Sequence, residues 1–127
     1  MKKIQPTNIP EPKGHYSPAV VHNGLIFVSG QLPMNHATGE VETGSIEKQT
    51  ELALRNVEAI LTAAGSDWNH VLQMTIYVSE MDDWDKVNEV YKRILGEHRP
   101  ARAIVPVKTL HFGTQIEIQA IAVVKED

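Results

Sequence analysis

The dipeptide Asn23-Gly24 imposes the strongest local constraint in this sequence, because it stands between two short runs of β-prone residues. Asn and Gly both tolerate the positive φ angles of a two-residue turn whose twist matches that of antiparallel strands. The runs at 19–21 and 25–29 are therefore predicted to pair as a β-hairpin. Three prolines between residues 5 and 13 favour an extended lead-in, so regular structure is expected to begin near Tyr16.

Two later segments have the apolar spacing of amphipathic helices. The first begins at Ser45, whose hydroxyl is placed to cap the free N–H groups, and ends before Gly65, which tolerates a left-handed backbone. The second begins near Asp82 or Asp83 and ends at Gly96. A turn-rich stretch over 33–44 separates the hairpin from the first helix and is predicted to be a surface loop.

Three further strands are predicted at 71–78, about 101–107 and about 115–124. The resulting order β-β-α-β-α-β-β predicts one α+β domain over residues 1–127, in which two helices cover one face of a mixed sheet. No helix is left for the other face. Because a second face that carries Met, Ile and Val is stabilised by burial, the chain is expected to form a closed homo-oligomer.

Composition argues against several classes of protein. The formal net charge of -4 provides no basic field for a nucleic acid, and the absence of Cys removes disulfides, thiolate metal sites and a cysteine nucleophile. Prolines and polar residues follow Lys2 and Lys3 where a signal peptide needs an apolar core, and no apolar run is long enough to span a bilayer. A cytoplasmic protein without membrane partners is expected.

The motif inventory favours neither a metal nor a cofactor. The six histidines have no His-x-x-x-His or His-Glu-x-x-His spacing, and of these residues His111, between the last two strands, is the one with a position of interest. No Gly-x-Ser-x-Gly, P-loop or Gly-x-Gly-x-x-Gly pattern is present. The expected metal and cofactor content is therefore none.

Arg102 and Glu117 are charged residues within strands that otherwise resemble core. An unpaired charge in apolar surroundings is costly, so Arg102 needs a partner. If the last two strands form a hairpin, the two side chains can approach one site. One interpretation is then a structural ion pair, or two residues on the solvated side of their strands. The other is functional, because an Arg fork binds a carboxylate and a nearby Glu orients or deprotonates water.

Ordered blocks along nearly the whole chain resemble the Rid family, also called YjgF/YER057c/UK114, and in particular its reactive intermediate deaminase A branch. The most informative blocks are Gly14-His15-Tyr16-Ser17, Val28-Ser29-Gly30-Gln31-Leu32-Pro33, Asn56-Val57-Glu58-Ala59-Ile60-Leu61, Val87-Asn88-Glu89-Val90-Tyr91, Pro100-Ala101-Arg102 and Ile116-Glu117-Ile118. The resemblance implies a chorismate-mutase-like fold assembled as a homotrimer, with sites between subunits.

The resemblance also implies an activity, the hydrolysis of enamines and imines released by pyridoxal phosphate enzymes to 2-keto acids and ammonia. Substrates of this class are 2-aminoacrylate, 2-iminopropanoate and 2-iminobutanoate. By position, Arg102 corresponds to the carboxylate clamp, Glu117 to the residue that activates water, and Tyr16 to a residue that closes over the substrate. The implied substrate-binding residues are Ser29, Gly30, Asn88 and Ile104, with Gly30 and Ile104 acting through backbone atoms.

Several positions depart from the family pattern. Ile104 stands where many members have Cys, His15 replaces a frequent Pro, Gln119 replaces a second Glu, and a Leu-His pair ending at His111 replaces a usual Leu-Pro. Packing or capping is the alternative role for Tyr16, Ser29 and Asn88. At the level of the whole chain, the alternatives are a carboxylate-binding regulatory module without catalysis and, less favoured by the acidic charge, an endoribonuclease or translation inhibitor.

Overall fold

The computed structural model describes residues 1–126, which form one six-stranded mixed sheet and two α-helices. The elements in chain order are β1 (Lys2–Ile4), β2 (Ala19–His22), β3 (Leu25–Gln31), α1 (Ile46–Ala63), β4 (Val71–Val78), α2 (Trp84–Leu95), β5 (Ala101–Pro106) and β6 (Ile116–Val123). The strand order in the sheet is β1-β2-β3-β6-β4-β5. This confirms the predicted α+β class, with one strand more than expected.

The additional strand lies at the N-terminus, in a segment for which no regular structure was predicted. Lys2, Lys3 and Ile4 of β1 pair antiparallel with β2, although regular structure was expected only from about Tyr16. Three residues are too short to show an alternating pattern, and their hydrogen-bond partners are supplied by a strand far along the chain. The prolines that follow remain outside regular elements, as predicted.

The local signals of turns and helix ends agree with the structure at most positions. Asn23 and Gly24 have φ angles of 52° and 77°, and they join β2 to β3 as the predicted hairpin. The Ser45 hydroxyl accepts a hydrogen bond from the Lys48 amide at 3.2 Å, and Gly65 after α1 has φ of 82°. Asp83 precedes α2, but its side chain makes no capping hydrogen bond.

Both helices pack on one face of the sheet, and the hydrophobic core lies between these two layers. Met74, Ile76 and Val78 of β4 are fully buried in it. They therefore do not belong to the open face, contrary to the expectation that Met, Ile and Val would be found there. That face carries other apolar side chains instead, such as Phe27, which is 45% exposed, and the partly buried Ile121.

The last two strands do not form the hairpin that would bring Arg102 and Glu117 to one site. β5 runs parallel to β4, to which it is connected through α2, and it pairs with β4 alone at the edge of the sheet. β6 inserts between β3 and β4 and is antiparallel to both. A strand-helix-strand connection returns the chain parallel to the first strand, so β4 separates β5 from β6.

Gln49 makes a buried polar link between α1 and the start of β6, and we expect Gln49→Leu to destabilise the fold by about 2–4 kcal/mol. Its Nε2 donates to the Gly44 carbonyl at 3.0 Å, and its Oε1 accepts from the Gln115 amide at 2.8 Å. Leucine has a similar size but leaves both backbone groups unpaired. Urea unfolding at one protein concentration measures the loss, with the exposed Lys48→Leu as control; equal stabilities would contradict this assignment.

Candidate functional site

Arg102 lies on the helix-covered side of the edge strand β5, beside α2. It pairs in register with the buried Met74, so its side chain is directed toward the same face. Its Nη1 donates a hydrogen bond to Asn88 Oδ1 at 2.8 Å. The guanidinium carbon lies 4.8 Å from the ring centroid of Tyr91 and 5.5 Å from that of Trp84. Both distances are within the range of cation–π attraction.

No counter-ion neutralises this cation among residues 1–126. The ion pairs within 4.0 Å in that part of the chain involve Arg55, Arg93, His70 and Lys125, and none involves Arg102. Arg102 does have partners, as expected, but they are neutral: the Asn88 amide and the rings of Tyr91 and Trp84. The partly exposed guanidinium remains charged and keeps donors available for an anion.

A groove of about 700 Å³ opens beside Arg102, between the C-terminal half of α2 and the segment that leads into β5. Asn88, Tyr91, Leu95 and Pro100 contribute to its walls. Ile104, two residues beyond Arg102 on the same side of β5, is partly buried against the core. The Ile104 side chain is apolar, so only its backbone N–H and C=O groups can contact a polar ligand. They belong to β5, at the edge of the sheet.

Tyr91 is the buried aromatic partner of Arg102, with 7% of its surface exposed. Its hydroxyl has no hydrogen-bond partner among the described residues. Burial raises the pKa of Tyr91 to about 12, although the nearby Arg102 acts to lower it. The phenol is therefore neutral near pH 7 and contributes a ring face to the cation, not a negative charge.

Glu117 lies on the opposite, open face of the sheet. Its neighbours in β6, Ile116 and Ile118, are buried under the helices, so alternation directs Glu117 away from them. The carboxylate packs against Gly30 of β3, where a Cβ would overlap Oε2 and lie 2.9 Å from Cδ. Only glycine leaves room for the carboxylate in this position.

A β-bulge in β3 shapes the backbone around Gly30. The pairing with β6 shifts between Val28 and Gln31, which places one additional residue in this part of β3. The Ser29 hydroxyl donates to the Ser17 carbonyl at 2.7 Å and thereby attaches the loop before β2 to β3. Tyr16, which precedes Ser17 in that loop, is 57% exposed. Its ring is thus free to contact a ligand or a second chain.

The seven residues singled out from the sequence fall into two groups. Arg102, Asn88 and Ile104 belong to the α2–β5 side, and the remaining four, Tyr16, Ser29, Gly30 and Glu117, belong to the β3–β6 side. One chain does not bring Arg102 and Glu117 together, because they lie on opposite faces of the sheet and β4 separates their strands. The structural ion pair considered above is therefore not formed within the chain.

Sequence reasoning assigned no role at the site to Trp84 and Tyr91 of α2. Their spacing from Asn88 contains a signal, since residues at i, i+4 and i+7 share one face of a helix. Among residues 1–126, no hydrogen bond or ring contact joins His111 to either group. Its exposed ring stacks edge-on with that of Phe112, at a centroid distance of 3.8 Å.

A separate polar cluster lies at the short turn before β4. His70 Nδ1 is 2.6 Å from Asp67 Oδ1, and this hydrogen bond is the main reason that the pKa of Asp67 is lowered. Within the described residues, no hydrogen bond or ion pair joins either of them to the two groups above. In the described part of the chain, no three His, Cys, Asp or Glu side chains are grouped as metal ligands would be. None of its helices combines the length and apolar composition required to cross a bilayer.

Comparison with known proteins yields close relatives over nearly the whole chain. Residues 6–124 match the family described as Endoribonuclease L-PSP. A RutC family protein of Pyrococcus horikoshii is 44% identical over 115 residues, which cover 91% of each chain. A Mus musculus protein named 2-iminobutanoate/2-iminopropanoate deaminase is 38% identical over 122 residues, covering 96% of this chain and 90% of the relative. The crystal structure of E. coli TdcF with bound serine has a TM-score of 0.92 at 35% identity and covers 98% and 100% of the two chains.

Proposed function

Because this chain belongs to the YjgF/Rid family, whose matched description is Endoribonuclease L-PSP, we propose that it is a deaminase that hydrolyses 2-imino acids to 2-keto acids and ammonia. Relatives at 36–38% identity carry the name 2-iminobutanoate/2-iminopropanoate deaminase. The proposed substrates are small enamine and imine acids, such as 2-aminoacrylate, 2-iminopropanoate and 2-iminobutanoate, released by pyridoxal phosphate enzymes. No cofactor is required.

The observation that carries this proposal is the un-neutralised cation at Arg102. Its guanidinium is partly exposed at a groove and has no carboxylate within 4.0 Å in residues 1–126. A planar guanidinium binds a carboxylate through two parallel hydrogen bonds, and every proposed substrate has that group. In this assignment Arg102 binds and orients the imino acid, and the backbone at Ile104 and Gly30 provides further polar contacts.

Glu117 supplies the second part of the reaction. Its carboxylate accepts a proton from water as the water oxygen bonds to the imine carbon, and the C=N electron pair moves to nitrogen. Glu117 passes this proton to the nitrogen, and the new hydroxyl group then gives up its own proton, which is also transferred to the nitrogen. As the C–N bond breaks, its electron pair leaves with ammonia, the O–H electron pair forms the C=O bond, and the Glu117 carboxylate is regenerated. An imine hydrolyses in water without help, so holding it beside one oriented water is a sufficient role for the protein.

The opposite faces occupied by Arg102 and Glu117 support an assembly in which different copies complete each site. The open face carries apolar side chains such as Phe27 and Ile121, which gain stability from burial against another chain. These features favour self-association, and the family resemblance sets the number of copies that we propose, a homotrimer with three sites between subunits, to which Tyr16, Ser29 and Asn88 also contribute.

The trimer makes a specific prediction for light scattering. We expect a mass three times the chain mass of 14.2 kDa. The variant Phe27→Lys places a charge on the open face and is expected to dissociate the assembly and abolish turnover together, while circular dichroism shows that the fold is retained. A stable, active monomer would be incompatible with a shared site.

The activity itself is tested by competition for the imine. A serine or threonine dehydratase generates 2-aminoacrylate or 2-iminobutanoate in the presence of semicarbazide, which traps the imine as a semicarbazone. We expect the purified protein to divert the imine from the trap at catalytic concentrations. Unchanged semicarbazone yields with small and bulky imines alike would refute the deaminase assignment.

The second candidate function is a carboxylate-binding module without catalysis. One specific observation favours it: a single chain forms the carboxylate-binding side of the site and leaves Glu117 on the other face. The relative TdcF was solved with serine, a small amino acid. Saturable binding of a keto acid without loss of semicarbazone would select this function. RNA cleavage, suggested by the family description, is not favoured by a net charge of -4.

A further inference from the structure

We propose that Trp84, Asn88 and Tyr91 form a neutral cage that holds Arg102 as an uncompensated cation and reserves its charge for a substrate carboxylate. In this arrangement, Trp84 and Tyr91 are positioning residues that act through Arg102. The inference rests on the proposed function. It adds that the lack of charge on Trp84, Asn88 and Tyr91 determines how tightly Arg102 binds an anion.

The cage is built by one face of α2. Trp84, Asn88 and Tyr91 occur at positions i, i+4 and i+7, so they are aligned along the helix above the edge strand β5. Asn88 Oδ1 accepts a hydrogen bond from Arg102 Nη1 at 2.8 Å, while the two rings lie 4.8 and 5.5 Å from the guanidinium carbon. An amide and two aromatic faces thus contact the same group.

The chemistry of these contacts explains why the cage is neutral. A carboxylate at position 88 would hold the guanidinium equally well, but it would form an internal ion pair that competes with the substrate. An amide oxygen and aromatic rings stabilise the cation through partial charges and leave its net charge unchanged. The Tyr91 phenol is also neutral near pH 7, because its pKa is raised to about 12 by burial.

The variant Asn88→Asp tests the cage with almost no change of shape. We expect it to weaken binding of 2-oxobutanoate, a keto acid that is not turned over, by about 30-fold or more in isothermal titration calorimetry. Its melting temperature is expected to stay equal or rise, since the hydrogen bond to Arg102 becomes an ion pair. Asn8→Asp, on an exposed N-terminal segment, adds the same charge away from the groove and serves as the control.

The aromatic contacts are tested by paired substitutions. Trp84→Leu and Tyr91→Leu remove the ring faces and are each expected to weaken 2-oxobutanoate binding by about five- to tenfold. Trp84→Phe and Tyr91→Phe keep a ring and are expected to restore most of the affinity. A role limited to packing predicts instead that melting temperature changes in the Leu variants while the affinity of the folded protein does not.

The outcomes separate this inference from the proposed function. Wild-type affinity in Asn88→Asp, or absence of 2-oxobutanoate binding by the native protein, would overturn the cage whether or not imines are hydrolysed. Weakened binding in Asn88→Asp without any imine turnover by the native protein would support the cage and refute the deaminase.

Discussion

Replacing Arg102 with Ala is expected to lower kcat/KM for imine hydrolysis by about a thousandfold. The guanidinium is the group assigned to the substrate carboxylate, and loss of a bidentate, charge-assisted pair costs about 3–5 kcal/mol when the partner charge is left unpaired. The side chain is partly exposed and lies at the sheet edge, so its truncation is expected to leave the fold intact. The semicarbazide competition assay measures the loss.

Two further variants define the origin of this effect. Arg102→Lys retains the charge but not the planar fork, and it is expected to recover only part of the activity. Arg55→Ala removes an exposed guanidinium whose ion pairs are with Glu51 and Glu58 on the same helix, and it is expected to match the native rate. Native turnover in Arg102→Ala would exclude Arg102 as the carboxylate clamp and with it the proposed mechanism.

Gly30→Ala is expected to lower kcat by about a hundredfold or more. A Cβ at this position would overlap the Glu117 carboxylate, so Glu117 must move from the place where it is proposed to hold water. The backbone there belongs to a β-bulge, and φ at Gly30 is not positive, so the substitution acts through space and not through backbone strain. Gly44→Ala, where the nearest contact of the new methyl group is 3.4 Å, is the matched control.

A double-variant cycle tests whether Gly30 acts through Glu117. If displacement of the carboxylate is the cause, Gly30→Ala is expected to add little to the loss already produced by Glu117→Gln. Independent, multiplying losses would instead assign Gly30 its own contact with the substrate. Thermal melts of the three proteins distinguish either result from partial unfolding.

Much of the fold follows from local signals in the sequence. The Asn23-Gly24 turn, the Ser45 cap and the alternation over β4 each depend on residues that are neighbours in the chain, and all three agree with the structure. β1 could not be predicted in this way, since its three residues become a strand only by pairing with Val20, Val21 and Ala19. Asp83 is itself part of a short 3-10 turn, Met81–Asp83, and its side chain does not cap α2. The sequence did not predict this turn.

The sequence identified residues of the candidate site but not how they are arranged in space. Arg102 was identified from the sequence as a cation that needs a partner, because a charge beside apolar residues is costly. A carboxylate was the partner considered, whereas α2 supplies an amide and two aromatic rings. The sequence shows the helical spacing of Trp84, Asn88 and Tyr91, but it does not show that β5 with Arg102 packs against them.

By itself, the sequence determined both α-helices and all strands except β1, the residue types available for binding a carboxylate, and the family. The tertiary structure decided which face of each strand the helices cover and which strands become neighbours. Alternation shows that a strand has two faces without showing which one is buried, and strand pairing depends on contacts between distant segments. For that reason Met74 lies under the helices, β4 separates β5 from β6, and Arg102 and Glu117 occupy opposite sides of the sheet.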